Sequence, residues 1–262
     1  MLLALDIGNT VTTIGVFEGD ELRANWRIST DVRKLRDEYA MLLFNLLWTG
    51  KIDPADVSKC SIASVVPTLT PVFEDLARRY FDANPLVVGS GVRTGMRIVY
   101  DNPREVGADR VVDAVAAQRL YGPPPLIVVD LGTATVLDAI NAAGDYVGGA
   151  IAPGLSIASE ALFERASKLY RVELEPPRNA IGRNTVEAMR SGLVLGAVAT
   201  IEGLVARFKQ ELGGEAKVIA TGGWAEMMAK QTTSIDIVDR HLTLAGLRML
   251  YEMNRGEPEP VL

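Results

Sequence analysis

The sequence predicts a duplicated α/β fold, because two stretches about half a chain apart repeat the same order of signals. Each opens with a short apolar β run that ends in Asp-x-Gly, at Asp6–Gly8 and again at Asp130–Gly132. In each, a second β run ends at a Gly-Asp turn, at Gly19–Asp20 and at Gly144–Asp145. Asp-x-Gly by itself is a common strand-to-turn signal, so the prediction depends on the shared order of these features.

The first predicted half covers residues 1–121 and starts with three strands. The pair Gly19–Asp20 is typical of a hairpin between the second and third strands. The rest of this half alternates helices and strands, with apolar residues at helical spacing after Asp37 and a β run that begins at Cys60. In order, the predicted elements are the strands LLALDI, TTIGVFE and ELRANWRIS, a helix DEYAMLLFNLLWT, a strand CSIASVV, a helix over residues 70–80, a strand PLVVG and a helix GADRVVDAVAAQRLYG.

The second predicted half covers residues 122–262 and repeats the opening hairpin. Two such halves facing each other would form a cleft with one carboxylate on each wall, Asp6 and Asp130. A nucleotide that carries a metal ion fits such a cleft. After the hairpin come the glycine-rich run GGAIAPG, a helix-rich stretch from Glu187, a strand KVIATGG, a last helix LAGLRMLYEMN and a tail at residues 255–262.

The composition is that of an ordinary globular protein. Of 262 residues, 48% are hydrophobic and 23% are charged, and the net charge of −6 gives no support to nucleic acid or an anionic membrane as the main partner. One cysteine, Cys60, excludes an internal disulfide, and one histidine, His241, excludes a His-rich zinc site. The first apolar run has no basic residues before it, and no segment approaches the roughly 18–20 apolar residues of a membrane span. We therefore expect a cytoplasmic protein.

Both Asp-x-Gly turns carry groups that could hold phosphate. Glycine lets backbone N–H groups approach a ligand, and hydroxyls add hydrogen-bond donors. A carboxylate beside them, such as Asp6, can hold Mg²⁺ directly or through water. The rival motifs Gly-x-x-x-x-Gly-Lys-Ser/Thr and Gly-x-Ser-x-Gly do not occur. The groups concerned are Gly8, Asn9, Thr10, Thr12 and Thr13 in the first turn and Gly132, Thr133 and Thr135 in the second.

The polar segment YDNPREVGADR, which runs into a predicted helix, offers a carboxylate and a cation for group transfer. Asp109 falls in the first helical turn, where the helix dipole alone favours a negative charge. Beside Arg110, which can hold an anion, the same carboxylate could instead accept a hydroxyl proton during phosphate transfer to an alcohol. The local sequence leaves both interpretations open. Asp113, one turn further on, is expected to be solvent-facing or structural, and Asn184 or Thr185 is expected to cap a later helix.

A set of short motifs in a fixed order resembles the type III pantothenate kinase family, within the acetate kinase, sugar kinase, Hsp70 and actin superfamily. The resemblance runs from the first strand to the last helix. It implies two ribonuclease H-like halves, as in actin-like ATPases, in which the two Asp-x-Gly turns bind phosphate. The motifs are DIGNT, ASVVP, YDNP, GADR, DLGTAT, GGAIAPG, IGRNT and TGG.

The resemblance implies ATP-dependent phosphorylation of pantothenate to 4'-phosphopantothenate, the first step of coenzyme A biosynthesis. The family's general base falls on Asp109, and its position for a required monovalent cation, K⁺ or NH₄⁺, falls on Asp130. Family members are typically homodimers with the substrate pocket near the subunit interface. ATP contacts are implied at Asp6, Ile7, Gly8, Asn9, Thr10, Val11, Thr12, Thr13 and Thr133, and pantothenate contacts at Tyr100, Gly107, Ala108, Asp109, Arg110 and Thr185.

Two other classes compete with the kinase. A phosphatase or polyphosphate hydrolase of the same superfamily would activate water and would lack the YDNP and GADR motifs. A nucleotide-binding regulator or actin-like assembly protein would keep the fold without the base. The presence of Asp6, Asp109, Arg110 and Asp130 together favours the kinase.

Overall fold

Two five-stranded mixed sheets organise the chain. The computed structural model describes residues 1–166 and 169–255, so all of the predicted tail except Arg255 lies outside the described residues. The strands are β1 (Leu2–Ile7), β2 (Val11–Glu18), β3 (Glu21–Ser29), β4 (Lys59–Ser64) and β5 (Pro85–Val87) in the first sheet, and β6 (Leu126–Leu131), β7 (Ala134–Ile140), β8 (Tyr146–Pro153), β9 (Lys217–Thr221) and β10 (Ile237–Val238) in the second.

The two sheets have the same topology. Their strand orders are β3-β2-β1-β4-β5 and β8-β7-β6-β9-β10. In each sheet the first three strands are antiparallel, and the remaining two run parallel to the central strand. The predicted duplicated α/β fold is therefore confirmed, including both hairpins. Gly19 and Gly144 have positive φ, of 59° and 82°, as tight hairpin turns require.

Eight α-helices lie among the described residues. The sequence predicts most of them but misses α4 and α7. Residues Ser191–Leu195 form a π-helical turn that joins α5 to α6, so these helices make one continuous segment. The helices are α1 (Arg36–Thr49), α2 (Thr70–Phe81), α3 (Ala108–Tyr121), α4 (Leu155–Arg165), α5 (Thr185–Arg190), α6 (Gly196–Glu211), α7 (Ala225–Ala229) and α8 (Leu242–Asn254).

The chain forms two compact units. The first comprises residues 1–95 and 101–116 with α8, and the second comprises residues 96–100 and 117–241. Helix α8 packs on β1 and β4 of the first unit, where the hydroxyl of Ser61 donates to the carbonyl of Leu247 over 3.1 Å. The halves predicted in chain order, 1–121 and 122–262, stay a prediction about domain boundaries. The compact units differ from them because α8 belongs to the first unit and residues 96–100 and 117–121 belong to the second.

The central strands of the two sheets have the same burial pattern. In β1 and in β6, every residue is buried except the fifth, which is partly exposed. That residue is Asp6 in β1 and Asp130 in β6. Burial on both faces is typical of strands covered by helices on each side, and each sheet accordingly has its own apolar core. The fold thus presents one carboxylate at the same point of each unit.

The apolar character of the helical segment Thr185–Glu211 corrects one expectation from the sequence. By length and composition alone, this 27-residue segment could cross a membrane, with an 18-residue window of mean hydropathy 1.4. The prediction that no segment approaches such a length was wrong, because small and polar residues interrupt the apolar run without lowering its mean hydropathy enough. One such helix is weak support for a membrane span, since core helices of soluble proteins pass the same test.

Candidate active site

The first Asp-x-Gly turn joins β1 to β2 and is tightly closed. Asp6 lies opposite Thr13 in the strand register, and the predicted ATP segment from Asp6 to Thr13 covers the end of β1, the turn and the start of β2. The N–H of Gly8 donates to the carbonyl of Val11 over 3.1 Å. A Cβ on Gly8 would lie 2.9 Å from that carbonyl oxygen. Glycine is therefore required here by close backbone approach.

Thr30, at the end of β3, holds this turn in place and was not predicted from the sequence. Its hydroxyl donates to the carbonyl of Gly8 over 2.7 Å, and its N–H donates to the carbonyl of Thr10 over 3.0 Å. The hydroxyl of Thr12 is 2.9 Å from that of Thr30. Because Thr30 gives its proton to Gly8, Thr12 is the donor in this pair. Thr12 is fully buried, so its hydroxyl supports the turn, and its predicted contact with ATP stays a prediction.

Asp109 lies in the first turn of α3, after the 3₁₀ turn Pro103–Glu105. Its Oδ1 accepts a hydrogen bond of 2.8 Å from the N–H of Arg110. A Cβ on Gly107 would lie 2.5 Å from this oxygen, so the carboxylate folds over a residue without a side chain. Burial raises the pKa of Asp109, and the hydrogen bond and charge of Arg110 oppose that shift only in part. A carboxylate with a raised pKa has a higher proton affinity, as a general base requires.

Asp113, one turn along α3 from Asp109, is buried, with 3% of its surface exposed. Of the two sequence interpretations, solvent-facing is therefore wrong, and the structural one remains. The helix is closely packed here, because a Cβ on Gly246 of α8 would lie 2.5 Å from the carbonyl of Val112. This packing fixes the helix that carries Asp109.

The second Asp-x-Gly turn joins β6 to β7, and two distant glycines pack against it. A Cβ on Gly222, which has φ +92°, would lie 2.4 Å from Oδ1 of Asp130. A Cβ on Gly154 would lie 2.1 Å from the carbonyl oxygen of Thr133 and 2.8 Å from that of Gly132. Gly154 ends the GGAIAPG motif and Gly222 lies in the TGG motif, but the sequence did not assign either of them a contact with this turn. Their main chains pack closely against one carboxylate and two carbonyl oxygens.

This donor set is compatible with a hard cation. Carboxylate and carbonyl oxygens are the ligands that such ions take, and Asp130 with the carbonyls of Gly132 and Thr133 supplies them. Across residues 1–166 and 169–255, no group of three or more His, Cys, Asp and Glu side chains could hold a metal ion. A cation at either turn would therefore depend on one carboxylate together with backbone oxygens, water or ligand phosphate.

The predicted pantothenate contacts fall in both units. Gly107, Ala108, Asp109 and Arg110 belong to the first unit, and Tyr100 and Thr185 belong to the second. Thr185 is the first residue of α5 but does not cap it. The side chain of Asn184 is the cap, accepting from the N–H of Glu187 over 2.9 Å. Of the two residues that the sequence offered as the cap, Asn184 is therefore confirmed and Thr185 is not the cap.

The surroundings of Thr185 form a cavity. Its volume is about 500 Å³, large enough for a small metabolite. Helices α4 and α5 and the loop between them supply its walls. The lining residues are Leu162, Leu169, Gly182, Arg183, Asn184, Thr185, Ala188, Met189 and Gly192.

Comparison with known proteins identifies the family to which these features belong. A family model described as type III pantothenate kinase matches residues 2–207. A type III pantothenate kinase of Roseiflexus sp. (strain RS-1) is 50% identical over 256 residues, which cover 98% of this chain and 100% of the relative. The chain belongs to the type III pantothenate kinase family. The resemblance read from the short motifs is thereby confirmed, and membership of this family makes the chain a phosphotransferase.

Solved structures with low sequence identity agree on the fold. A Campylobacter jejuni protein described as a Baf family transcriptional activator superposes with a TM-score of 0.63 at 18% identity, covering 97% of this chain and 100% of that one. An activator of 2-hydroxyisocaproyl-CoA dehydratase from Clostridium difficile, with bound ADPNP, gives a TM-score of 0.54 at 13% identity and covers 100% of this chain and 99% of that one. These likenesses concern the fold alone and confirm the duplicated ribonuclease H-like architecture.

Proposed function

We propose that this protein transfers the γ-phosphoryl group of ATP to the primary hydroxyl of pantothenate, giving 4'-phosphopantothenate and ADP. This is the first step of coenzyme A biosynthesis. Family membership supports the substrate, since the relatives are named type III pantothenate kinases. The observation that carries the chemistry is the Asp109 carboxylate at the start of α3, with a raised pKa and next to Arg110.

Asp109 is the proposed general base. As the pantothenate hydroxyl oxygen forms its bond to the γ-phosphorus, the bond between that phosphorus and the β–γ bridging oxygen breaks, ADP leaves and Asp109 takes the hydroxyl proton. Phosphoryl transfer has a loose transition state, so holding the hydroxyl in line matters more than the strength of the base. Arg110 offers a fixed positive charge to the substrates. The raised pKa of Asp109 lets its carboxylate accept the proton more readily than an ordinary aspartate would.

The first turn is the proposed site for the ATP phosphates. The exposed residues Asn9 and Thr10, with Gly8, present amide and hydroxyl donors of the kind that phosphate binds. Asp6 would hold Mg²⁺ directly or through water. The ion would supply charge that offsets the phosphate oxygens. The chain's own part is to keep the turn rigid, which Thr30 does.

The second turn is the proposed site for a monovalent cation and a further nucleotide contact. Asp130 would hold K⁺ or NH₄⁺ together with carbonyl oxygens of its turn, and Thr133, whose side chain is exposed, would contact ATP. Such an ion would supply fixed positive charge near the phosphates. The glycines that pack on this turn, Gly154 and Gly222, fit that role because their close packing would hold its oxygens in fixed positions.

Pantothenate is proposed to contact Tyr100, Thr185 and the N-terminal turn of α3. Backbone N–H groups at Gly107 and Ala108 lie at a helix N-terminus, where partial positive charge favours a carboxylate such as that of pantothenate. The cavity beside Thr185 includes Arg183, a cation at its wall. These features suit an acidic substrate with hydroxyl and amide groups.

A homodimer is the proposed assembly, and the cytoplasm is the proposed location. The helical segment Thr185–Glu211 is apolar, yet only 28% of its most apolar window is buried within one chain. Ile151 and Ile181 of the second unit are 67% and 83% exposed. Apolar surface of this kind is what a second copy of the chain would cover. A cytoplasmic enzyme has direct access to ATP.

The test is ADP release with Mg²⁺-ATP, measured with and without pantothenate and with K⁺ or Na⁺. Asp109→Asn is expected to lower turnover by about 10²–10⁴-fold, the usual share of a general base. Asp56→Asn, at an exposed position of the first unit, is the matched control and is expected to keep wild-type turnover. Near-normal turnover of Asp109→Asn would show that Asp109 is not the general base. ADP release that does not need pantothenate would identify a hydrolase, and nucleotide binding without turnover would identify a regulator.

A further inference from the structure

The backbone of the segment Met96–Tyr100 is bridged to the edge strand β8 at Tyr146, and the side chain of Arg97 in this segment also pairs with Asp145, the residue before β8. The N–H of Tyr146 donates to the carbonyl of Arg97 over 2.9 Å, and the N–H of Val99 donates to the carbonyl of Tyr146 over 2.8 Å. These two bonds form a parallel bridge between Ile98 and Tyr146. Both main-chain groups of Tyr146 thus fix the segment that ends in Tyr100.

The buried carboxylate of Asp138 holds the side chain of Tyr146. The tyrosine hydroxyl donates to Oδ1 of Asp138 over 2.7 Å. Tyr146 is fully buried, and only 3% of Asp138 is exposed. A hydrogen bond to a carboxylate is stronger than one between neutral groups. Breaking it in the interior is costly, because water cannot reach the buried groups to replace it. The ring of Tyr146 therefore has one well-defined orientation.

Tyr100 rests on this anchored ring. The ring centroids of Tyr100 and Tyr146 are 6.4 Å apart, at an interplanar angle of 51°, within the range of favourable aromatic pairs. A Cβ on Gly148 would lie 3.4 Å from the ring of Tyr100, so the main chain of β8 at Gly148 lies beside that ring. The remaining surface of Tyr100, 37% of the residue, is exposed and open to a ligand.

We propose that Tyr146, anchored by Asp138, is a positioning residue that holds Tyr100 in place for the acceptor substrate. This inference rests on the proposed function, in which Tyr100 contacts pantothenate. Tyr146 itself does not touch the substrate; it fixes the backbone and the ring of the residue that does. Its loss should therefore weaken pantothenate binding and leave the chemistry and ATP binding largely as they are.

The direct test is a double-variant cycle read in pantothenate KM. Tyr146→Phe keeps the ring and the backbone bridge but loses the bond to Asp138. It is expected to raise the pantothenate KM by about 5-fold, with kcat and the ATP KM within about 2-fold, because residues in contact are energetically coupled. In a Tyr100→Ala background, the same substitution should change the pantothenate KM by less than about 2-fold, since the ring it positions is gone.

Two further variants separate positioning from general stability. Tyr80→Phe removes a tyrosine–aspartate bond of the same length, 2.7 Å to Asp37, on α2 of the first unit, and should leave the pantothenate KM unchanged. Asp138→Asn keeps an oxygen acceptor for the Tyr146 hydroxyl and should stay within about 3-fold of wild type. Equal effects of Tyr146→Phe with and without Tyr100 would overturn the inference, as would parallel changes in kcat and both KM values.

Calorimetric binding of pantothenate without ATP distinguishes failure of this inference from failure of the proposed function. If wild type binds pantothenate but does not phosphorylate it, the proposed reaction is wrong, and weaker binding by Tyr146→Phe would still support the positioning role. If wild type phosphorylates pantothenate and Tyr146→Phe binds it normally, the reaction stands and the positioning role is wrong. If wild type neither binds nor phosphorylates pantothenate, both are wrong.

Discussion

The two Asp-x-Gly turns occupy equivalent places in the two units but are held by opposite means. In the first, Ile7 pairs with Thr12, so residues 8–11 form the connection; in the second, Leu131 pairs with Thr135, and residues 132–134 do so, one residue fewer. The same register places Thr30 after β3 and Gly154 after β8 at corresponding points. Thr30 holds the first turn through its side-chain hydroxyl, whereas Gly154 can pack against the second turn only because it has no side chain.

This difference shows how a duplicated fold can conserve a backbone shape while its supports diverge. Apart from Gly8 within the turn itself, the supports of the first turn are atoms that are present, namely the hydroxyls of Thr12 and Thr30. The second depends on atoms that are absent, at Gly154 and Gly222. Removing atoms should therefore damage the first turn, and adding them should damage the second. The predictions below run from the largest expected effect to the smallest, and those on Gly154 and Thr30 test this contrast.

The largest effects are expected from the two carboxylates. Asp6→Asn and Asp130→Asn should each lower turnover by about 10²–10³-fold, the usual loss when a charged group at a transferring phosphate is removed. Their cation responses should differ. Asp6→Asn should raise the Mg²⁺ concentration needed for half-maximal rate, while Asp130→Asn should abolish the difference between K⁺ and Na⁺. Titration of both ions with both variants checks this. Identical responses would contradict separate roles for the turns.

Gly154→Ala should be the most damaging small change in the second turn. Its Cβ would lie 2.1 Å from the backbone oxygen of Thr133, which cannot yield as a flexible side chain can. We expect a loss of about 1–3 kcal/mol of unfolding free energy together with loss of K⁺ stimulation. Gly89→Ala, where a Cβ meets open space, should change the free energy by less than about 0.5 kcal/mol. Denaturant unfolding of both variants measures this, and equal stabilities would contradict it.

Thr30→Val should weaken the first turn by removing a hydroxyl while keeping the shape of the side chain. The carbonyl of Gly8 and the hydroxyl of Thr12 then lose a partner, which costs about 1–2 kcal/mol of unfolding free energy. The ATP KM should rise severalfold, with the pantothenate KM unchanged. Thr30→Ser keeps the hydroxyl and should recover most of the ATP affinity. If Val and Ser behave alike, the hydroxyl is not what holds the turn.

The smallest effect is on thermal stability and concerns Asp109, which belongs to neither turn and whose pKa is raised by burial. Because its pKa is raised in the folded state, its ionised form is destabilising above that pKa, and the folded state gains stability as pH falls through it. Asp109→Asn should therefore melt at a higher temperature than wild type at pH 7, even though it is inactive. The gap should close as the pH is lowered below the ordinary aspartate range. A gap that is constant with pH would exclude burial of the charge as its cause.

Much of the fold follows from local sequence patterns. Apolar runs and Gly-Asp turns predict the hairpins β1–β2–β3 and β6–β7–β8, because strand alternation and turn chemistry act over a few residues. Helix α4 was missed because only Leu155 among its residues is buried, so it shows no apolar stripe. Strand β10 has two residues, too few for any periodicity.

Residues of the candidate site could be predicted from the sequence where the reactive groups belong to one short motif. They could not be predicted where their role depends on contacts between residues that are distant in sequence. Asp6, Asp109 and Asp130 stand out in short motifs. Thr30 does not, and the GGAIAPG motif did not reveal which residues Gly154 contacts, because the partners of both are about 20 residues away in sequence and meet them only through sheet register. Local sequence left Asn184 and Thr185 open as the helix cap because both side chains offer the same kind of hydrogen bond. Tertiary contacts of this kind are not encoded in any local pattern.

The most direct test of the central claim is product stoichiometry with wild-type protein, Mg²⁺-ATP, K⁺ and pantothenate. Mass spectrometry and phosphorus NMR would measure ADP, phosphorylated pantothenate and free phosphate in one reaction. We predict one phosphorylated pantothenate for each ADP, with the phosphate on the primary hydroxyl and almost no free phosphate. ADP formed with an equal amount of free phosphate and unmodified pantothenate would contradict phosphoryl transfer to this acceptor.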